Sequence, residues 1–391
     1  MEFYAATSIK EDLDDAILEI TTEIKSKISN TKIDLAFVFA SPHFQKQYET
    51  LNNRIQESFN PTVTMGCMGE SIIGDNKEIE NSPAVTLWLA SLPDVKITPF
   101  HLTYIEDNDE ASFINWPDDM PSEDDNPAFI IIAEPFSVDP KQLLSYFQNN
   151  YSGKPVIGGM ASGAYSQGGN SIFYNGEILT SGVVGVALSG AIKVDSVVSQ
   201  GCRPIGKHFI VTKADQNVLH SLGGKSALQC YREIYSTLGH EDKLLAQMGT
   251  HIGLVVNEYL EKFESGDFLA RNLIGVDENS GAIAIADFVR VGQTAQFMIR
   301  DAKSAHDDLV NLLSQERDKE RQNLPKGGLI FTCNGRGRNL FPEPNHDVGC
   351  FKKVLGNIPV GGFFAQGEIG PVGNVNFLHG FTASMALFSE P

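Results

Sequence analysis

The sequence predicts an α/β protein: two related domains built from repeated β-α-β units followed by antiparallel hairpins, with mixed sheets flanked by helices. Three observations carry this reading. Apolar runs of strand length recur along the chain. Each is followed by a stretch with helical spacing, then by a second strand that ends in glycine. Units of about thirty residues or fewer in this order are crossovers, whose two strands lie parallel.

In chain order, a helix opens the fold. Ser8 and Glu11 have capping-box spacing, and Leu13, Ile17, Ile20, Ile24 and Ile28 line one face. IDLAFVFAS (33–41) is a buried strand, FQKQYETLNNRIQESF (44–59) a helix, and PTVTMGC (61–67) a second strand. The order returns at PAFIIIAEPFS (127–137), DPKQLLSYFQNN (139–150) and KPVIGGMASG (154–163). It returns again at KGGLIFTC (326–333), HDVGCFKKVLG (346–356) and NIPVGGFFAQGEIG (357–370). A shorter fourth version is read at HIGLVV (251–256), NEYLEKFESG (257–266) and FLARNLIG (268–275). Apolar strands follow each unit, and turns such as YNGE (174–177) and ENSGA (278–282) favour hairpins there. Residues 218–238 read as helical, interrupted at Gly223 and Gly224. The division expected is an N-terminal helix (1–29), a first domain (30–220) and a second (221–391).

Composition narrows the partners. The net charge of -19 disfavours nucleic acid phosphates and anionic membrane surfaces. No apolar run of about 20 residues is present, so no membrane insertion is expected. The start, MEFYAATSIKEDLDD, does not read as a signal peptide. Cysteines 67, 202, 230, 333 and 350 are odd in number, spread out and free of CxxC pairs. They read as reduced thiols, and the expected location is the cytoplasm. Acidic residues collect at EDNDE (106–110) and DDMPSEDD (118–125), read as a solvated loop without the EF-hand order of calcium ligands. SQERDKERQN (314–323) reads as a charged helix end.

Several motifs fail. GGKSAL (223–228) resembles the end of a P-loop, but Leu219 occupies the place of its first glycine. GRGRNL (335–340) has Leu340 where a dinucleotide fingerprint needs glycine. No HExxH or GxSxG appears, the histidines lack metal-ligand spacing, and no metal is expected.

The candidate site lies where ligands of parallel crossover units bind, beyond the carboxyl ends of the strands. GCMGES (66–71), GGMASGA (158–164) and GGFFAQGEIG (361–370) form equivalent rims. TCNGRGRNLF (332–341) adds Cys333, Asn334, Arg336 and Arg338. Arginine forks onto carboxylate or phosphate, and Glu368 can take an ammonium, so together they could clasp a small zwitterion. An internal Arg–Glu pair bridging two turns is the open alternative. Cys67 and Cys333 each sit beside a glycine turn. A catalytic cysteine needs a base such as His379 or His346, and without a nucleophile signature both read first as small buried apolar residues. Arg203 and His379 complete the candidate ligand contacts.

Six stretches, in order, resemble the FIST family (F-box and intracellular signal transduction proteins). They are GCMGESIIGDNKEIE (66–80), PVIGGMASG (155–163), VSQGCRPIGKHFIVTKADQNVLHSLGGKSAL (198–228), RNLIGVDENSGAIAIADFVRVGQ (271–293), TCNGRGRNLF (332–341) and VGGFFAQGEIGPVGNVNFLHGFTASMALF (360–388). The resemblance implies a FIST N-terminal and a FIST C-terminal domain and a sensory role, with a small ligand such as an amino acid. Some bacterial members are reported as haem-containing nitric-oxide sensors. No F-box, kinase or receptor segment is read here, so the resemblance implies a separate signalling partner protein. Met68 and Glu70 depart from the small residues many members carry on the first rim.

Four functions follow as expectations. The first is a small-ligand sensor without chemistry or cofactor. The alternatives are a cysteine-dependent enzyme using Cys333, a haem-based gas sensor, and a scaffold contacted through the acidic loop or Trp116.

Overall fold

A computed structural model describes residues 1–28, 31–107, 110–263, 265–319 and 323–391. Parts of the EDNDE stretch, of the 257–266 segment and of the charged 314–323 segment lie outside the described residues. The chain forms two compact units, Met1–Val198 with Leu309–Leu378 and Thr382–Pro391, and Ser199–Asp308 with His379–Phe381.

Three of the expected crossovers lie in the first unit. Leu35–Ala40 runs parallel to Val63–Met68, with helix Tyr48–Phe59 between them in sequence. Ala128–Ala133 runs parallel to Val156–Met160 through helix Pro140–Asn150. Gly327–Cys333 runs parallel to Val360–Ala365 through helix His346–Leu355. Each leading strand has an antiparallel neighbour on its other side: Val85–Ser91, Val183–Gly190 and Thr382–Ser389 respectively.

The fourth place in each sheet belongs to a strand from another copy. Ile72–Gly74, after the first crossover, pairs with the return strand of the third. Ile172–Tyr174, after the second, pairs with the return strand of the first. Glu368–Val372, after the third, pairs with the return strand of the second. The three copies are therefore laced in a closed cycle. Trp88, Phe37, Phe39, Phe331, Phe363 and Phe388 belong to one buried cluster that also takes in Ile130, Ile132 and Ile157 of the second copy.

Each parallel pair closes on a glycine at the same register: Val38 opposite Gly66, Ile131 opposite Gly158, and Ile330 opposite Gly362. A Cβ added at these glycines would lie 1.8, 1.8 and 1.9 Å from the facing carbonyl oxygens. Backbone atoms in a paired strand have little room to retreat. Gly158→Ala is therefore expected to cost about 3 kcal/mol, the upper part of the overpacking range. Urea unfolding measures it, and a loss under about 1 kcal/mol would show that the strands can spread.

The second unit corrects the fourth crossover. Thr250–Val255 pairs antiparallel with Phe268–Asp277, and antiparallel neighbours need no crossover helix. Among the described residues of 257–266 there is no α-helix, and Tyr259 is exposed. Pairing continues from Phe268–Asp277 through Ala282–Ile285, Val218–Leu222, Phe209–Asp215 and Thr294–Arg300, which pairs back to Thr250–Val255. Six strands thus close into a barrel whose core includes Val211, Leu219, Ile252, Ile283, Phe297 and Ile299.

Two local readings also change. Val218–Leu222 is a strand, turned by Gly223 and Gly224 at positive φ, and only Ala227–Thr237 is helical. The chain opens with strand Glu2–Ser8, held over seven residues by Val85–Ser91. The first helix, Leu13–Lys27, is capped by Asp12, whose side chain accepts from the Asp15 N–H at 3.1 Å. Ser8 instead donates to Glu19 at 2.5 Å. Among the described residues no helix is long and apolar enough to cross a membrane.

Candidate ligand site at the three strand ends

Counted from the three close-approach glycines, Glu70, Ser162 and Gln366 occupy the same place, four residues further on. The lacing of the sheets brings these rims into one hydrogen-bond network. The Glu70 N–H donates to Ser162 Oγ at 2.8 Å, and that hydroxyl donates to the Phe364 carbonyl at 2.5 Å. Asn334 Nδ2 and the Tyr165 hydroxyl donate to Glu70 Oε2 at 2.8 and 3.1 Å. The Gln366 N–H donates to the Met160 carbonyl at 3.1 Å. Glu70, Asn334 and Gln366 are half-buried, and Tyr165 is exposed.

Two acceptors at these ends are left over. Asn334 Oδ1 and Gln366 Oε1 are shielded from solvent and have no hydrogen-bond partner. Both belong to the third rim, where Asn334 donates its own N–H to the Ala365 carbonyl, next to Gln366. Buried carbonyl oxygens ordinarily have a donor. With the Glu70 carboxylate, they make a rim rich in acceptors, suited to a ligand that brings N–H donors and positive charge.

The arginine clasp expected at GRG takes another form. Arg336 is fully buried, and its Nε and an Nη donate to the two oxygens of Asp347 at 2.7 Å each. Burial alone would raise Asp347. The Arg336 charge and fork, with His346, override it and hold the carboxyl well below the usual range. Thr332 Oγ1 donates to Asp347 at 2.5 Å, and His346 stacks on Phe341 with ring centroids 3.3 Å apart. Arg336 thus fixes the turn and offers no fork to a ligand carboxylate. The internal-pair alternative is closer, with Asp347 as partner in place of Glu368. Arg338 is exposed, and its backbone N–H donates to Glu80.

Burial works against a negative charge on Glu368. It is fully buried, and burial pushes its carboxyl up to about 8. The Thr382 N–H and hydroxyl, donating to Oε2 at 3.1 and 2.6 Å, only partly offset this. The rim carboxylate that the Asn334 amide and the Tyr165 hydroxyl reach is that of Glu70. Cys67 is fully buried and its thiol is pushed well up by desolvation, so it carries no thiolate. Arg203 and His379 belong to the second unit. There Arg203 bridges Asp301 at 2.7 Å and Asp242, and His379 is buried.

The haem expectation needs an imidazole with an open side. The buried His251 is one candidate. It is 5% exposed, with Phe381 at 4.4 Å. At this one histidine there is no open side for a porphyrin iron.

Ser162, Tyr165, Gln366 and Asp347 went unread in the sequence. Aligning the rims on Gly66, Gly158 and Gly362 would have found Ser162 and Gln366 beside Glu70. Asp347 and Tyr165 follow no such spacing.

Comparison with known proteins identifies the family. The FIST N domain model matches residues 34–225 and the FIST C domain model residues 227–371. The chain is 40% identical over 390 residues to an uncharacterized protein of Mycobacterium tuberculosis, covering 100% of both. An uncharacterized protein of Mycobacterium bovis is 38% identical over 382 residues, 97% of this chain and 96% of its own length. An F-box/LRR-repeat protein of Arabidopsis thaliana is 34% identical over 85 residues, 21% of this chain and 16% of its own length. Fold and matches together define a two-domain α/β protein. The chain belongs to the FIST family, whose domains are linked to sensing in signal transduction.

Proposed function

We propose that the protein is a cytoplasmic sensor that binds a small metabolite bearing an amino group, an amino acid or a relative of one. Its signal passes to a separate partner protein. The observation that supports this reading is the meeting of Glu70 and Asn334 beside unpartnered acceptors of Asn334 and Gln366. An ammonium group would satisfy those oxygens and place its charge against Glu70.

A thermal-shift panel of amino acids, simple amines, their deaminated analogues and haemin tests it. A ligand at a hundred times its dissociation constant adds about 2.7 kcal/mol to stability, enough to register. Amines are expected to shift the melting temperature and their hydroxy analogues to leave it unchanged. Glu70→Gln removes one charge-assisted hydrogen bond and should weaken the hit about tenfold or more. A panel in which only haemin or only deaminated compounds stabilise the protein would overturn the reading.

A further inference from the structure

The Glu70 carboxylate is set by two donors that meet on one oxygen. Asn334 Nδ2 and the Tyr165 hydroxyl both donate to Oε2, at 2.8 and 3.1 Å, and Oε1 receives no hydrogen bond from the described residues. Tyr165 is otherwise poorly covered, with 74% of it exposed. Its loop is tied down behind it. The Ala164 N–H donates to Asn170 Oδ1 at 2.9 Å, and Asn170 Nδ2 donates to Glu134 Oε1 at 3.2 Å, with Asn170 and Glu134 both buried. Gln45 Nε2 donates to the Gly169 carbonyl at 3.0 Å. The tyrosine hydroxyl therefore reaches Glu70 from a fixed base, and its hydrogen bond holds the carboxylate against rotation.

Asn334 fixes its own amide as well. Its NH2 group faces the carboxylate, where an amide oxygen would meet like charge, so Oδ1 is turned away from Glu70. That oxygen and Gln366 Oε1 are the two shielded acceptors without a partner. The bond from the Asn334 N–H to the Ala365 carbonyl keeps the two residues side by side. The half-buried Cys333 thiol, just before Asn334, already accepts the Gly335 N–H at 3.4 Å, and sulfur is a weak acceptor. Three oxygens are left to a ligand: Glu70 Oε1, Asn334 Oδ1 and Gln366 Oε1.

We infer that the site selects a primary ammonium over its N-methylated forms, with Tyr165 as the positioning residue that keeps Glu70 Oε1 for the ligand. The inference rests on the amine reading of the site and narrows it. A primary ammonium brings three N–H donors and no acceptor, one donor for each oxygen left over. Each N-methyl group removes a donor and sets a methyl against an oxygen that stays unpaired. A shielded acceptor without its donor counts against binding. Charge alone therefore does not decide the ligand: a quaternary amine carries the same charge and no donor.

The test titrates two probe series into the full chain: methylamine and glycine, each with its N-methyl, N,N-dimethyl and N,N,N-trimethyl forms. Melting temperature and the side-chain amide resonances of Asn334 and Gln366 are read together. The primary members are expected to bind. The first methyl should weaken binding by about tenfold or more, the loss of one hydrogen bond to a charged group, and the trimethyl forms should leave both signals unchanged. Tyr165→Phe keeps the ring and removes the donor. Its melting temperature without ligand should match the wild type, while its preference for the primary over the N-methyl form should shrink about threefold or more. Equal affinity along a series, or affinity that rises with methylation, leaves an amine site standing and overturns the selection of a primary ammonium. An unchanged preference in Tyr165→Phe overturns the positioning role. Silence of both series overturns the inference, and silence of the whole amine panel overturns the reading beneath it as well.

Discussion

Arg336→Met is expected to destabilise the protein by about 3–5 kcal/mol, the cost of leaving a buried charge without its partner. Among the described residues, Asp347 would keep the hydrogen bonds of Thr332 and His346 around a fully buried carboxylate. Adding Asp347→Asn should recover part of the loss, because it removes the uncompensated charge and keeps an acceptor for Thr332. Urea unfolding of the two variants at pH 7 measures both effects. The single variant should also respond to acid differently. In the wild type Asp347 is held below its unfolded value, so its contribution is present above that value and is lost as pH falls through the folded one. Without Arg336 that contribution disappears. A loss under about 1 kcal/mol would mean that the pair is not the fixture of the GRG turn.

The second large effect has the opposite pH sign. Glu368 and Glu78 are both pushed up to about 8, each by burial first. At Glu78 the Asp347 charge adds to the rise, and the Val348 and Asp347 backbone N–H groups and Arg336 oppose it. A carboxyl with a raised folded value binds a proton in the folded state that the unfolded chain has already released. Its contribution is full below the unfolded value of about 4.3 and falls by about 1.4 kcal/mol per pH unit until the folded value is passed. Glu368→Gln removes this loss. Its unfolding free energy relative to wild type should therefore rise by about 1 kcal/mol per unit from roughly pH 5.5 to 7.5 and level off above about 8. A flat difference would show that Glu368 is ionised in the folded protein.

The sequence carried the crossovers because their signals are local. IDLAFVFAS, PAFIIIAEPFS and KGGLIFTC are short, continuous and apolar, and each is followed by a helix whose length forces a parallel return. The lacing was not legible. Ile72–Gly74 and Glu368–Val372 look like ordinary continuations of the strands before them, and only tertiary pairing assigns them to another copy's sheet. The false fourth crossover had the right order of apolar residues, but an antiparallel barrel needs nothing between Thr250–Val255 and Phe268–Asp277 except a loop. At the site, glycine rims were visible as rims. Arg336 and Glu368 were read as a ligand clasp or as a pair with each other, because a sequence does not show that one is buried against Asp347 and that burial raises the other.

The most direct test of the proposed amine site is a titration followed by magnetic resonance. Amino acids and simple amines would be added one at a time while the side-chain amide resonances of Asn334 and Gln366 are observed. The account predicts that any amine that raises the melting temperature shifts both with one midpoint, and that Glu70→Gln moves that midpoint about tenfold higher. A stabilising amine that leaves both resonances in place would contradict it.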